Sequence, residues 1–183
     1  MINILQRLSQ NNLDQQVAAL FLAQRSDFGI TVFTVISFFG DWKILLPVML
    51  IIILILFIKN KKRFIIPFAL IVIAAEITTF LGKLWFHHPR PLLAVFHETD
   101  FSFPSGHATI AVAFYGYLAY ILIKLLKDRY KWPIIILTVL MAGLIGFSRL
   151  YLGVHYLSDV LAGYFVGLTA LIIGINLNKP AKL

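Results

Sequence analysis

Cysteine is absent from the chain. Its absence excludes disulfide frameworks, thiolate nucleophiles and Cys-ligated metal centres. Charge is scarce too: 13% of residues are Asp, Glu, Lys or Arg, and the acids number 8 against 16 basic residues. With 60% hydrophobic residues and a mean hydropathy of +0.89, that scarcity excludes an ordinary soluble domain, and 183 residues are too few for two membrane domains. One integral membrane unit is the expectation. The net charge of +8 would suggest nucleic acid in a soluble protein, but the basic residues cluster at the ends of apolar runs, where they orient a membrane protein. Nucleic-acid binding is therefore rejected. Repeats, low-complexity tracts and linkers are also missing, so residues 1–183 read as one domain. The opening MINILQRLSQNNLDQQ lacks the short apolar core and small-residue cleavage site of a signal peptide, so insertion is expected to rely on internal spans.

What is present is a series of long hydrophobic runs. A helix crosses a bilayer with about 20 mostly apolar residues, and residues 42–58, 64–86, 107–126, 132–147 and 160–177 meet or approach that length. Residues 17–40 are long enough, yet Arg25 and Asp27 lie inside them, and a charge at mid-membrane is costly. The expected fold is thus all-α, an integral membrane helical bundle of five or six transmembrane helices. Residues 1–40 form an interfacial or first spanning segment, and 42–177 the catalytic core. Lys59, Lys61, Lys62, Arg63, Lys124, Lys127, Arg129, Lys131, Lys179 and Lys182, ten of the sixteen basic residues, fall on one face if the five runs alternate. That face is expected to be cytoplasmic. Trp42, Trp85 and Trp132 read as interface anchors.

The opposite face collects three polar clusters: KLWFHHPRP (residues 83–91), FPSGHA (103–108) and SRLYLGVHYLSD (148–159). Lys83, Arg90 and Arg149 together suit a group with several anionic oxygens, and phosphate is the natural candidate. Ser105 is a good N-cap, Pro104 stops helix ahead of it, and Gly106 admits close backbone approach, so the helix start after it makes an anion site. His107 then lies beside the anion, able to donate a proton. His155 and Asp159 are four apart and share a face if their turn is helical, in which case the carboxylate fixes the ring tautomer and leaves one nitrogen free to attack.

These residues carry a resemblance. The chain resembles the type 2 phosphatidic acid phosphatase superfamily, whose signatures K-x6-R-P, P-S-G-H and S-R-x5-H-x3-D are complete here in order and spacing. Lys83, Arg90 and Pro91 match the first, Pro104, Ser105, Gly106 and His107 the second, and Ser148, Arg149, His155 and Asp159 the third. The resemblance implies hydrolysis in two steps without metal or other cofactor. His155 attacks phosphorus, Asp159 supports it, and His107 protonates the leaving oxygen and then activates water. Lys83, Arg90, Ser105, Gly106, Ser148 and Arg149 hold the phosphoryl oxygens. It also implies a lipid phosphate or diphosphate substrate in a bacterial cytoplasmic membrane, with the site facing the periplasm or exterior. Undecaprenyl diphosphate is favoured over phosphatidylglycerol phosphate, phosphatidic acid and lipid A phosphate, and a phosphotransferase is an alternative on the same scaffold. The family's soluble vanadium haloperoxidases are excluded by hydropathy.

Each piece has a plainer explanation. Lys83 snorkels, the arginines bind headgroups, and Ser105 and Asp159 only cap. Their joint occurrence on one face argues against it. Glu76, at i, i+3, i+7 with Thr79 and Lys83, faces away from lipid and is either functional or a helix-to-helix hydrogen bond. His87, His88, His97, Glu98 and Asp100 raise a rival, a metal-dependent hydrolase, but no His pair has i, i+4 spacing and the cations nearby repel a metal. A non-catalytic transporter or assembly subunit is a further rival, disfavoured by the intact His107, His155 and Asp159 and by the lack of broken spans in repeated halves.

Overall fold

The computed structural model describes residues 13–177. The MINILQRLSQNN stretch, Lys179 and Lys182, to which the signal-peptide and charge-asymmetry expectations refer in part, lie outside the described residues. Among the described residues every regular element is helical: α1 Leu13–Ala23, α2 Asp27–Phe38, α3 Trp42–Ile58, α4 Ile65–Phe86, α5 Gly106–Leu125, α6 Lys131–Tyr151 and α7 Leu157–Leu177. Five segments, beginning with Asp27–Ile58 and ending with Leu157–Leu177, are long and apolar enough to cross a membrane. The protein is a multi-pass membrane helical bundle.

Where the sequence left residues 17–40 ambiguous, the chain breaks at the charges. Arg25 lies in the turn between α1 and α2, with Nε donating to the Tyr151 carbonyl at 2.9 Å and Nη1 to the Leu93 carbonyl. Ser26 caps α2 through a hydrogen bond from the Gly29 N–H, and Asp27 opens that helix, where its charge suits the dipole. The result is two short helices, both packed against α6. Asp14 of α1 accepts from the Ser158 backbone N–H at 2.8 Å and hydroxyl at 2.6 Å, tying α1 to the start of α7. A sixth span over residues 17–40, one of the two readings left open, is not formed as one helix. Instead α2 and α3, interrupted by a turn at Phe39 to Asp41, make up the first apolar stretch.

The helices alternate in direction as the charge pattern requires. Lys59 to Arg63 and Lys124 to Lys131 gather at one end, and the turns at residues 39–41, 87–105 and 152–156 gather at the other. Trp42 and Trp85 are exposed near the second end and Trp132 near the first, as interface anchors are. The core of the bundle is aromatic. Phe64, Phe68, Phe114 and Tyr117 are buried, with Phe68 stacked 5.5 Å from Tyr117 and 5.3 Å from Phe114.

At the site end, packing depends on small residues. A Cβ on Gly163 would fall 2.5 Å from the Ser105 carbonyl oxygen, and one on Gly167 would fall 2.4 Å from that of Thr109. The Gly163–Gly167 pair lets α7 press directly on the backbone of α5, which in lipid is how helices associate without a hydrophobic driving force. That contact places Asp159 beside Ser105, whose N–H donates to the Asp159 carbonyl at 3.0 Å. A π-helical turn at Ala111–Tyr115 follows the first turns of α5, and the Tyr115 hydroxyl donates to the Phe39 carbonyl at 2.7 Å.

Candidate active site

Ser105 is the N-cap of α5, accepting from the Ala108 N–H at 3.5 Å. Pro104 ahead of it rests on Gly82 of α4, and Gly106 and His107 open the helix on the wall of a cavity of about 400 Å³. Glu76, Thr79 and Lys83 line the same cavity from α4, as their spacing predicts. His155 completes it from the turn before α7. A second cavity, of about 230 Å³, adjoins at Glu76 and Trp42 and is otherwise apolar, lined by Leu45, Met49, Val72 and Phe114 among others. It lies between α3 and α4.

Three cations converge around His155. Lys83 Nζ donates to Asp100 and, at 3.0 Å, to the Phe101 carbonyl. Arg90 Nε donates to the Asp100 carbonyl at 3.0 Å, while Nη1 donates to the Val154 carbonyl at 2.7 Å and to His155 Nε2 at 3.2 Å. Nη2 of Arg90 bridges Asp100 and Glu98, the latter at 2.7 Å. Arg149, buried at the end of α6, donates from Nη1 to the Ser37 hydroxyl at 2.6 Å and from Nη2 to Glu98; its Nε is buried without a partner. Glu98 and Asp100 thus supply two carboxylates to three cations. Burial alone would raise the Glu98 carboxyl, but Arg149 and Arg90 outweigh it and hold it below its ordinary value. Asp100 is likewise held down against burial by its hydrogen bonds from Lys83 and Arg90.

His155 is almost wholly buried. Burial is the main cause that lowers its ring to about 4, opposed in part by Asp159 and reinforced by Arg149 and Arg90. At neutral pH the ring is neutral, with the lone pair of one ring nitrogen available. The expected helical sharing of a face is not how His155 and Asp159 meet, since His155 precedes the first residue of α7. Asp159 is the third residue of that helix and reaches back to accept the Tyr156 N–H at 2.8 Å, a capping-box contact. Its Oδ2 stands 3.5 Å from His155 Nδ1.

The structure therefore brings Lys83, Arg90, Ser105, Gly106, His107, Arg149, His155 and Asp159 to one end of the bundle. Ser148 stands apart: it is fully buried and its hydroxyl donates to the Ile145 carbonyl at 2.6 Å, so the side chain serves its own helix. Pro91 lines a separate cavity of about 300 Å³ along the loop of residues 87–105 with Phe96 and His97. Glu98 and Asp100, weighed in the sequence as metal ligands, face the cations instead. Among the described residues no group of three or more His, Asp or Glu side chains is placed to hold a metal ion. Four contributors were not on the sequence's site list: Ser37, which holds Arg149; Ser102 and His88, which touch Asp159; and Gly40, which packs on His107. Ser102 sits two residues before the P-S-G-H signature, the nearest thing to a signal for it.

Comparison with known proteins gives a consistent neighbourhood. The model of the PAP2 superfamily matches residues 64–181. Phosphatidylglycerophosphatase B of Bacillus subtilis is 34% identical over 158 residues, covering 85% of this chain and 78% of that protein. An undecaprenyl-diphosphatase of Sulfolobus acidocaldarius is 29% identical over 163 residues, covering 84% and 73%. Among solved structures, a transmembrane PAP2 type phosphatidylglycerolphosphate phosphatase from Bacillus subtilis superposes with a TM-score of 0.89 at 30% identity, covering 98% of this chain and 93% of that one.

Proposed function

The chain belongs to the PAP2 superfamily and is a membrane phosphatase; from that premise we propose that it removes the terminal phosphate of a lipid phosphate or diphosphate through a phosphohistidine on His155. The observation that carries the reading is the 3.2 Å contact between Arg90 Nη1 and His155 Nε2. A guanidinium nitrogen can only donate, so Nε2 bears its lone pair, and the attacking atom already adjoins a phosphate-binding cation.

In the first step Nε2 attacks phosphorus in line with the ester or anhydride oxygen. The P–N bond forms as the P–O bond breaks, and His107 gives its proton to the departing oxygen. Lys83, Arg90 and Arg149 neutralise the equatorial oxygens as charge builds, with backbone N–H groups at the start of α5 adding to them. In the second step His107 takes a proton from water, the oxygen attacks phosphorus, and His155 recovers its electron pair as phosphate leaves. No step requires a metal. Substrate entry exchanges partners: phosphate oxygens replace Glu98 and Asp100 on the three cations. Those cations are ordered before substrate arrives, because the carboxylates already hold them in place.

The two cavities fit an amphiphile. The headgroup occupies the polar cavity while the hydrocarbon chain follows the apolar one past Glu76 to the lipid between α3 and α4. The names of the relatives support phosphatidylglycerol phosphate and undecaprenyl diphosphate as the first candidate substrates. The basic clusters at the far end support a cytoplasmic location for that end of the bundle, and hence a site facing outward from a bacterial cytoplasmic membrane. One catalytic unit spans residues 42–177, with α1 and α2 as its brace. Phosphate release by the purified protein in detergent, on a panel of lipid phosphates with EDTA present, tests the reading. Release is expected to survive EDTA and vanish in His155→Ala; release restored only by a divalent metal would overturn it.

A further inference from the structure

Asp159 is fully buried, so both of its carboxylate oxygens need donors. Oδ1 takes one from His88 Nδ1 at 3.0 Å. Oδ2 takes two, from the Tyr156 N–H at 2.8 Å and from the Ser102 hydroxyl. A carboxylate oxygen has two lone-pair sites, and those of Oδ2 are both filled before His155 is counted. The ring Nδ1 lies 3.5 Å from Oδ2 but 3.3 Å from Ser102 Oγ. Direct pairing of nucleophile and carboxylate is therefore the weaker of the two contacts.

We infer that Ser102 is a positioning residue of the reaction: its hydroxyl relays the hydrogen bond from His155 Nδ1 to Asp159 and so fixes the tautomer that leaves Nε2 free, while His88 holds the far carboxylate oxygen. The inference rests on the histidine mechanism proposed above. Donor logic makes the relay one-directional. Because a carboxylate only accepts, the Ser102 proton points at Asp159, and the serine oxygen turns a lone pair towards Nδ1, which must then carry hydrogen. The opposite edge of the ring gives the same answer independently, since Arg90 donates to Nε2. A loop contact keeps the two supports in register: the Ser102 N–H donates to the His88 carbonyl at 2.8 Å, pairing the two residues that reach Asp159 from residues 87–105. Ser102 is fully buried, whereas the His88 side chain is 37% exposed. The relay is thus sealed on the catalytic side and open to water only beyond the carboxylate.

Ser102→Ala and the near-isosteric Ser102→Cys, assayed beside His155→Ala on one lipid phosphate, test the inference. Removing a group that orients a reactive histidine lowers turnover by roughly 10- to 100-fold, so kcat is expected to fall by that factor in Ser102→Ala with KM within about twofold. The thiol, a weaker donor, falls between. A second readout is the acid limb of kcat/KM. The titratable and charged groups facing the ring are Arg90 and Glu98 from the loop, His107 of α5, Arg149 of α6 and Asp159 of α7. Without the hydroxyl, Oδ2 regains a lone pair for Nδ1, the imidazolium is favoured, and the limb moves to higher pH. Wild-type kcat and pH profile in both variants would overturn the role of Ser102. So would a loss of activity with an unmoved limb and raised KM, since that marks a structural residue. If Ser102→Ala does not fold, Ser102→Cys alone decides by the same two readouts. Turnover by His155→Ala would instead overturn the histidine mechanism itself, whatever Ser102 does.

Discussion

Glu98 is predicted to compete with the substrate, and neutralising it should tighten the binding of phosphate analogues. Its carboxylate accepts from Arg90 at 2.7 Å and from Arg149, and its side chain is 30% exposed. A hydrogen bond to a charged group is worth about 1.5–3 kcal/mol. Partial exposure screens that, so releasing the two arginines from Glu98 should return about 1–2 kcal/mol to an incoming oxyanion. Glu98→Gln keeps the shape and one acceptor, which spares Arg149 the larger cost of a buried, wholly unpaired charge. The expected result is an inhibition constant for orthovanadate roughly 5- to 30-fold lower than that of the parent protein. The assay is competitive inhibition of phosphate release from a short-chain lipid phosphate in detergent at fixed ionic strength. Asp128→Asn, at the opposite end of the bundle, serves as the control and should leave the constant unchanged. An inhibition constant that is unchanged or higher in Glu98→Gln would refute the exchange of carboxylate for phosphate on these cations.

Two further predictions concern His155 and the helix contact behind it. Because burial lowers the ring to about 4 and its neutral form is the proposed nucleophile, protonation of His155 should depress kcat/KM only below about pH 4, by tenfold per unit. A pH profile corrected for the ionisation of the substrate phosphate checks this, and an acid limb near the ordinary histidine value of about 6.5 would contradict it. Gly163→Ala places a methyl 2.5 Å from the Ser105 carbonyl oxygen and 3.0 Å from the Ala108 Cβ. Such overpacking costs about 1–3 kcal/mol. For a chain of this size thermal unfolding should then come roughly 2–12 °C earlier, with activity lost in step because the start of α5 is displaced. An unaltered melting temperature measured in detergent would count against a direct α5–α7 backbone contact.

The membrane class, the alternation of helices and the gathering of three distant clusters at one end could all be read from the sequence. Each rests on a one-dimensional signal: run length, the position of Lys and Arg, and the spacing of signature residues. The break at Arg25 could be anticipated as a difficulty but not resolved, because its solution depends on the carbonyls of Tyr151 and Leu93, more than sixty residues away. Ser148 illustrates the opposite limit. It sits beside Arg149 in the signature, yet a helix rotates neighbouring residues by about 100°, and its hydroxyl turns back onto Ile145. The loop at residues 87–105 has no regular period, so nothing in its order indicated that Glu98 and Asp100 face cations, or that His88 and Ser102 face Asp159. The Gly163–Gly167 spacing was a readable small-xxx-small signal whose partner, α5, only the fold identifies.

The central claim is that phosphate passes through a covalent bond to His155, and trapping that bond tests it most directly. His107→Ala, mixed in a single turnover with a lipid phosphate bearing a labelled terminal phosphate and a good leaving group, is predicted to accumulate label on the protein. The bond should be labile in acid, stable in base and located at His155 by mass spectrometry, and absent when His155→Ala is added. Label on another residue, or full turnover in the doubly substituted protein, would contradict the account.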